Sequence, residues 1–207
     1  MDKIYKYAIF LIFSTILSFI SIDLTPQKLK ILFQDDFKSG KSWNFHKGDW
    51  AINDAGLNQK DLNEWNTNCF TVLKQAGTLH YEWDVRMTKG ILDSGLHIFS
   101  SEGGMSERGN SYLIWQFMDG FVIYKTIRNR LVEKTRFKSK TVGKALYKNR
   151  VKYNPNLGRI TIWQNNRFIG YWIDKKPIMK GEYISLRTNK TASVFSRIRV
   201  YTHIKQK

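Results

Sequence analysis

Glu82 and Asp84 stand two residues apart in the run Leu79-His80-Tyr81-Glu82-Trp83-Asp84-Val85-Arg86-Met87. The odd positions of this run are apolar and the even positions are polar or charged. A period of two is the signature of a strand with one buried and one wet face. The wet face then carries an imidazole, two carboxylates and a guanidinium. Two carboxylates on one strand face suit the acid/base or acid/nucleophile pair of glycoside cleavage. The plainer role for Glu82 and Asp84 is to offset Arg86 and the basic surface around them. His97 follows on the next run, Ser94–Ser100, and Gln116 on the one after, Ser111–Met118. The expectation is that His80, Glu82, Asp84, Arg86 and His97 point out of one curved surface, with Gln116 adding a hydrogen-bonding amide. Trp65 lies in the polar loop Glu64-Trp65-Asn66 and is the tryptophan expected to be exposed. An exposed indole can stack on the apolar face of a sugar ring. Trp43, Trp115 and Trp172 are expected in or against the core.

Those residues need strands to hold them. Asp119-Gly120, between two apolar runs, is a strong hairpin signal. Asp54-Ala55-Gly56 and Asn165-Asn166-Arg167 read as further turns, since Asn tolerates the positive φ that a tight turn needs. Arg159–Gln164 pairs with Phe168–Ile173 across the latter. Asn68–Leu73, Gly181–Thr188 and Ser193–Tyr201 are also strand-like. No amphipathic helix is evident after residue 23. Many short strands with turn signals between them predict an all-β sandwich.

The chain has 207 residues, a formal net charge of +17 and a single cysteine, Cys69. The length favours one domain with a proper core. The charge implies long-range attraction to anions such as acidic polysaccharide, anionic lipid or nucleic acid. No nucleic-acid motif accompanies it. One cysteine excludes an intrachain disulfide and a zinc site built on a Cys pair; Cys69 is expected to be buried. Lys3 and Lys6 precede the apolar run Ala8–Ile20, which reads as a secretory signal or an uncleaved signal anchor. The expected organisation is residues 1–22 as that segment, 23–34 as linker, and 35–207 as the folded domain. From Lys125 to Lys152 the chain is strongly basic, either as an electrostatic patch or as a charged edge that resists sheet pairing. Asp35, Asp36, Asp93 and Asp119 are oxygen donors that leave a structural calcium open; no cofactor is otherwise implied.

Three groups of residues carry a resemblance. They are Asp36-Phe37, Trp43, Trp50-Ala51-Ile52 and Gly56-Leu57; then Ile160-Thr161-Ile162-Trp163-Gln164-Asn165-Asn166 before Trp172; then Tyr183–Thr188 before Phe195–Tyr201. In this order they resemble the concanavalin A-like lectin/glucanase superfamily over nearly all of residues 33–203. The resemblance implies a jelly-roll β-sandwich of two antiparallel sheets. Asp84-Val85-Arg86, Asp93-Ser94-Gly95-Leu96 and Ser111–Gln116 are distantly similar to 3-keto-disaccharide hydrolases and related domains of unknown function. The glutamate of that family's motif falls on Leu113 or Ile114 here. Glucanases of the superfamily place a further glutamate after such a carboxylate pair, where this chain has Arg86. Lyases of the same fold use Arg, His and Tyr, which Arg86, His97 and Tyr112 or Tyr124 resemble; their Arg binds a uronate and the other two move protons.

Together these features point to an exported, lectin-like domain that recognises anionic glycans on a concave sheet through Glu82, Asp84, Arg86, His97, Gln116 and Trp65. It would be secreted, periplasmic or at the cell surface, touching membrane only through an uncleaved N-terminal segment. A polysaccharide lyase or glycoside hydrolase of the same fold is one alternative, using Arg86 and His97 or Glu82 and Asp84. A basic adhesive surface protein is the other.

Overall fold

The computed structural model describes residues 27–39, 42–104, 109–140 and 144–205. The N-terminal segment expected to be a signal lies outside them. Leu29–Thr202 forms one compact unit. The architecture below is that of Leu29–Thr202. Among the described residues there is no helix, and so none long and apolar enough to cross a membrane.

Two antiparallel sheets stack face to face. The eight-stranded sheet runs β13 (Arg167–Ile173), β12 (Arg159–Gln164), β11 (Leu146–Asn154), β6 (Leu79–Gly90), β15 (Thr191–Lys205), β4 (Gly56–Gln59), β3 (Trp50–Asn53), with β1 (Gln27–Asp35) also pairing β15. The seven-stranded sheet runs β10 (Arg130–Lys138), β9 (Gly120–Ile127), β8 (Ser111–Phe117), β7 (Ser94–Ser100), β14 (Lys180–Thr188), β5 (Thr67–Ala76), β2 (Asn44–Lys47). This is the expected all-β jelly-roll sandwich. Residues 27–34, expected to be linker, are instead strand. Their run Leu29, Ile31, Phe33 alternates with Lys28, Lys30 and Leu32, and Leu32 and Phe33 pack against the core.

Alternation sorts each strand between core and outer face. On β6, Leu79, Tyr81, Trp83, Val85 and Met87 are buried in the interior. On β7 the inward residues are Leu96 and Ile98, and on β8 they are Tyr112 and Ile114. Cys69 is buried on β5, and burial pushes its thiol well above the ordinary value. Asn165 and Asn166 both take positive φ in the β12–β13 turn, the conformation that suits a two-residue hairpin. At the open edge of the sandwich, Phe137 of β10 lies on Gly170 of β13; a Cβ there would come within 2.4 Å of the ring.

β6 and β7 follow each other in sequence but belong to different sheets. The outward residues of β6 therefore lie on the outer face of the eight-stranded sheet. His97 lies on the outer face of the seven-stranded sheet, on the opposite side of the core. The expected common surface for His80, Glu82, Asp84, Arg86 and His97 does not form. Period-two alternation is local, whereas the sheet a strand joins is set by pairing with β11 and β15 or with β8 and β14.

Candidate functional site

The carboxylate pair survives as a pair but is held by arginines of β15. Arg199 donates to Glu82 Oε2 from Nη2 at 2.6 Å and from Nε at 3.2 Å, and the Tyr201 hydroxyl donates to Oε1 at 3.0 Å. Arg197 Nη2 donates to Asp84 Oδ1 at 3.3 Å. Burial alone would raise the Glu82 pKa. The Arg199 and Tyr201 hydrogen bonds and the nearby Arg199 and Arg197 charges outweigh it and hold the carboxyl below its ordinary value. A carboxylate kept ionised in this way is a poor general acid. Arg86 is exposed beside them.

His97 sits in a closed polar row on the other sheet. Its Nε2 faces Arg187 Nη1 at 3.3 Å and its Nδ1 faces Ser111 Oγ at 3.2 Å. A guanidinium only donates, so Nε2 accepts and Nδ1 carries the proton. Arg187 also donates to the Asn66 carbonyl at 3.2 Å. Asn68, Arg187, His97 and Ser111 are all buried. Gly103 packs against Phe70 and Tyr183 over the same face, and Asn68 donates to the Gly103 and Gly104 carbonyls. Arg187 has no local signature of burial: on the alternating strand β14 it has the parity of an outward-facing residue, since Ile184 and Leu186 enter the core. Trp65 is exposed as expected, with Lys190 Nζ 5.1 Å from the ring centroid. Trp43 and Trp115 are buried and Trp172 packs against the core.

Gln116 faces the interior, not the surface beside His97. Tyr112, Ile114 and Gln116 share one parity, and the first two are core residues. Gln116 Oε1 accepts from Asn149 Nδ2 at 2.7 Å across the two sheets, and Asn149 Oδ1 accepts from Gln164 Nε2 at 3.3 Å. Gln164 Oε1 in turn accepts from the Ser139 hydroxyl at 3.1 Å. The core thus becomes polar toward one end of the sandwich.

That end opens into a cleft of about 890 Å³. Three connections converge on it. The β8–β9 turn brings Met118 and Asp119, the end of β10 brings Lys138, Ser139 and Lys140, and the β12–β13 hairpin brings Gln164, Asn165, Arg167, Phe168 and Ile169; Tyr147 of β11 completes it. The connections are tied together by backbone bonds, Ser139 to the Asp119 carbonyl at 2.9 Å and Asn165 to the Lys148 carbonyl at 2.8 Å. Among the described lining residues Lys138, Lys140 and Arg167 face one carboxylate, Asp119. Phe168 presents an exposed ring. Amides, cations and an aromatic face around a volume of this size suit a small polar anion with some apolar surface. No local pattern announces the cleft, because its walls come from turns far apart along the chain.

Among the described residues no group of three or more His, Cys, Asp or Glu is placed to hold a metal ion. Asp35 instead accepts from the Phe37 amide and the Trp43 indole, at 2.7 and 2.8 Å. Asp93 accepts from the Asn189 amide at 2.9 Å and the Thr191 hydroxyl at 3.2 Å.

No protein-family model matches the chain, and no curated protein matches it in sequence. Its fold does match solved structures. The carbohydrate-binding module CBM66 from Bacillus subtilis aligns with a TM-score of 0.67 and 16% identity, over 78% of this chain and 96% of that one. A Bacillus subtilis protein of unknown function with a galectin-like fold gives 0.68 and 13%, over 87% and 100%. The carbohydrate recognition domain of Emp46p, in metal-free form, gives 0.57 and 14%, over 81% and 91%. Chains so different in sequence share only the fold, here a β-sandwich of two antiparallel sheets like that of the galectin-like and carbohydrate-binding-module structures.

Proposed function

We propose that the protein is a carbohydrate-binding domain that takes acidic saccharides in the end cleft. The observation that carries this reading is the lining itself: Lys138, Lys140 and Arg167 against Asp119, beside the exposed Phe168 ring and the Gln164 and Asn165 amides. Cations supply affinity for a carboxylate or sulfate, and Arg167 can bind it in two-pronged fashion. The amide groups select hydroxyl orientation, and the ring stacks on a sugar face. Structural neighbours described as a carbohydrate-binding module and a carbohydrate recognition domain support the choice of ligand class. Glycoside hydrolysis takes two carboxyl groups flanking the bond. Asp119 is alone among the described lining residues, which favours binding over cleavage. An exported site of action rests on Lys3, Lys6 and Ala8–Ile20.

A glycan array run at two ionic strengths tests the reading. Binding confined to uronic-acid or sulfated glycans, and weakened by salt, is the expected result. Retention of neutral glycans alone would overturn it.

A further inference from the structure

We propose that the saccharide site continues past Phe168 onto the outer face of the eight-stranded sheet, so that the protein grips a chain of acidic sugars rather than one terminal unit. The inference rests on the end cleft being a saccharide site. Phe168 lines that cleft and also a second groove of about 310 Å³. The groove is walled by Lys152 and Asn154 of β11, Arg159, Thr161 and Trp163 of β12, and Leu157 of the turn between them. Strand parity explains the grouping: Ile160 and Ile162 enter the core, so Arg159, Thr161 and Trp163 must face out.

The chemistry of the cleft repeats along the groove. The described lining residues include Lys152 and Arg159 and no carboxylate. Arg150 lies 4.3 Å from the Trp163 ring centroid and Arg159 lies 4.1 Å from that of Tyr171. A guanidinium over a ring face can also donate from its N–H groups to a carboxylate or sulfate. Phe168, Tyr171 and Leu157 are about half exposed or more, at 53%, 49% and 62%. Cations alternating with apolar surface match a polymer whose charged groups alternate with sugar faces. Phe168 forms the shared rim, and its ring meets Trp163 edge-on at 6.3 Å. The same face could instead cover a second copy of the chain through the β13 edge, and the test separates the two.

The experiment is calorimetric titration of the full chain with galacturonic-acid oligomers of two and eight units. The octamer should bind at least about ten-fold tighter than the dimer, beyond the few-fold gain that extra registers give. The double variant Lys152→Gln/Arg159→Gln should bring the octamer to within that few-fold of the dimer's affinity and leave the dimer unchanged. An octamer gain no larger than that few-fold, or an octamer indifferent to the double variant, overturns the extension while leaving the end cleft standing. Failure of both lengths to bind overturns the cleft reading and the extension with it. Sedimentation without saccharide reads the remaining outcome: a dimer that the same double variant dissociates would assign this face to self-association and sink the proposal.

Discussion

Asn149 Nδ2 donates to Gln116 Oε1 at 2.7 Å, joining the two sheets inside the core. Both residues are buried, Asn149 at 2% and Gln116 at 0% exposure. The bond supports Gln164, which Asn149 positions at the cleft wall. Asn149→Ala leaves a buried acceptor on Gln116 and a buried donor on Gln164. Urea unfolding should show a loss of about 1–3 kcal/mol. Affinity for an acidic disaccharide should fall as well, because Gln164 loses its anchor. An unchanged midpoint would mean that water replaces the side chain at no cost.

A second buried pair ties the segment after β13 to the other sheet. Lys125 Nζ lies 2.5 Å from Asp174 Oδ2, and the Tyr112 hydroxyl donates to the same oxygen at 2.6 Å. Both charged side chains are nearly buried. Burial would raise the Asp174 pKa; the bonds from Lys125, Tyr112 and the Lys176 amide outweigh it and hold it below the ordinary range. Its stabilisation is therefore present above the unfolded carboxylate pKa and is lost as pH falls through the folded one. Asp174→Asn strands the Lys125 charge and should cost about 3–5 kcal/mol. Lys125→Met with Asp174→Leu should recover most of it in a double-mutant cycle, since burying neither charge removes the penalty.

Asp93 behaves in the opposite sense. Burial raises its carboxyl to about 6, against the lowering effect of bonds from Asn189, Thr191 and Trp115. The folded state then holds a proton that the unfolded chain has released. Stability from this group falls as pH rises from about 4 to about 6 and stays low above that. The swing is of order 3 kcal/mol. Asp93→Asn keeps an acceptor for the Asn189 amide and should flatten this part of the profile. Thermal melts between pH 4 and 7 check it; a slope that persists in the variant would assign it elsewhere.

The close approach of β10 and β13 leaves no room at Gly170. Gly170→Ala would drive a methyl group into the Phe137 ring, which lies 2.4 Å from the built Cβ. Overpacking of this kind costs about 1–3 kcal/mol. The change should be visible as a lower denaturation midpoint, and Phe137→Leu should relieve part of it.

Much of the fold was legible in the chain because it depends on local pattern. Alternation located β6 and sorted its residues, Asp119-Gly120 marked the β8–β9 hairpin, and Asn165-Asn166 marked β12–β13. Trp65 was readable as exposed because its neighbours are polar. What failed was non-local. Alternation says that Glu82 and His97 both leave the core, but not from which sheet. Parity also places Gln116 with Tyr112 and Ile114, yet an amide on an inward position is easily taken for a surface group. Its partner Asn149 lies on another sheet, where no local rule can find it. The cleft depends on three turns meeting, which only the strand order decides.

The central claim is tested most directly by titrating an acidic disaccharide into the wild-type chain and into Lys138→Gln, Lys140→Gln and Arg167→Gln. These side chains are exposed, so each loss should be worth about 1 kcal/mol, roughly a five-fold drop in affinity. The salt dependence of binding should flatten with each replacement. Wild-type affinity and salt dependence in all three variants would contradict the account and remove the end cleft as the saccharide site.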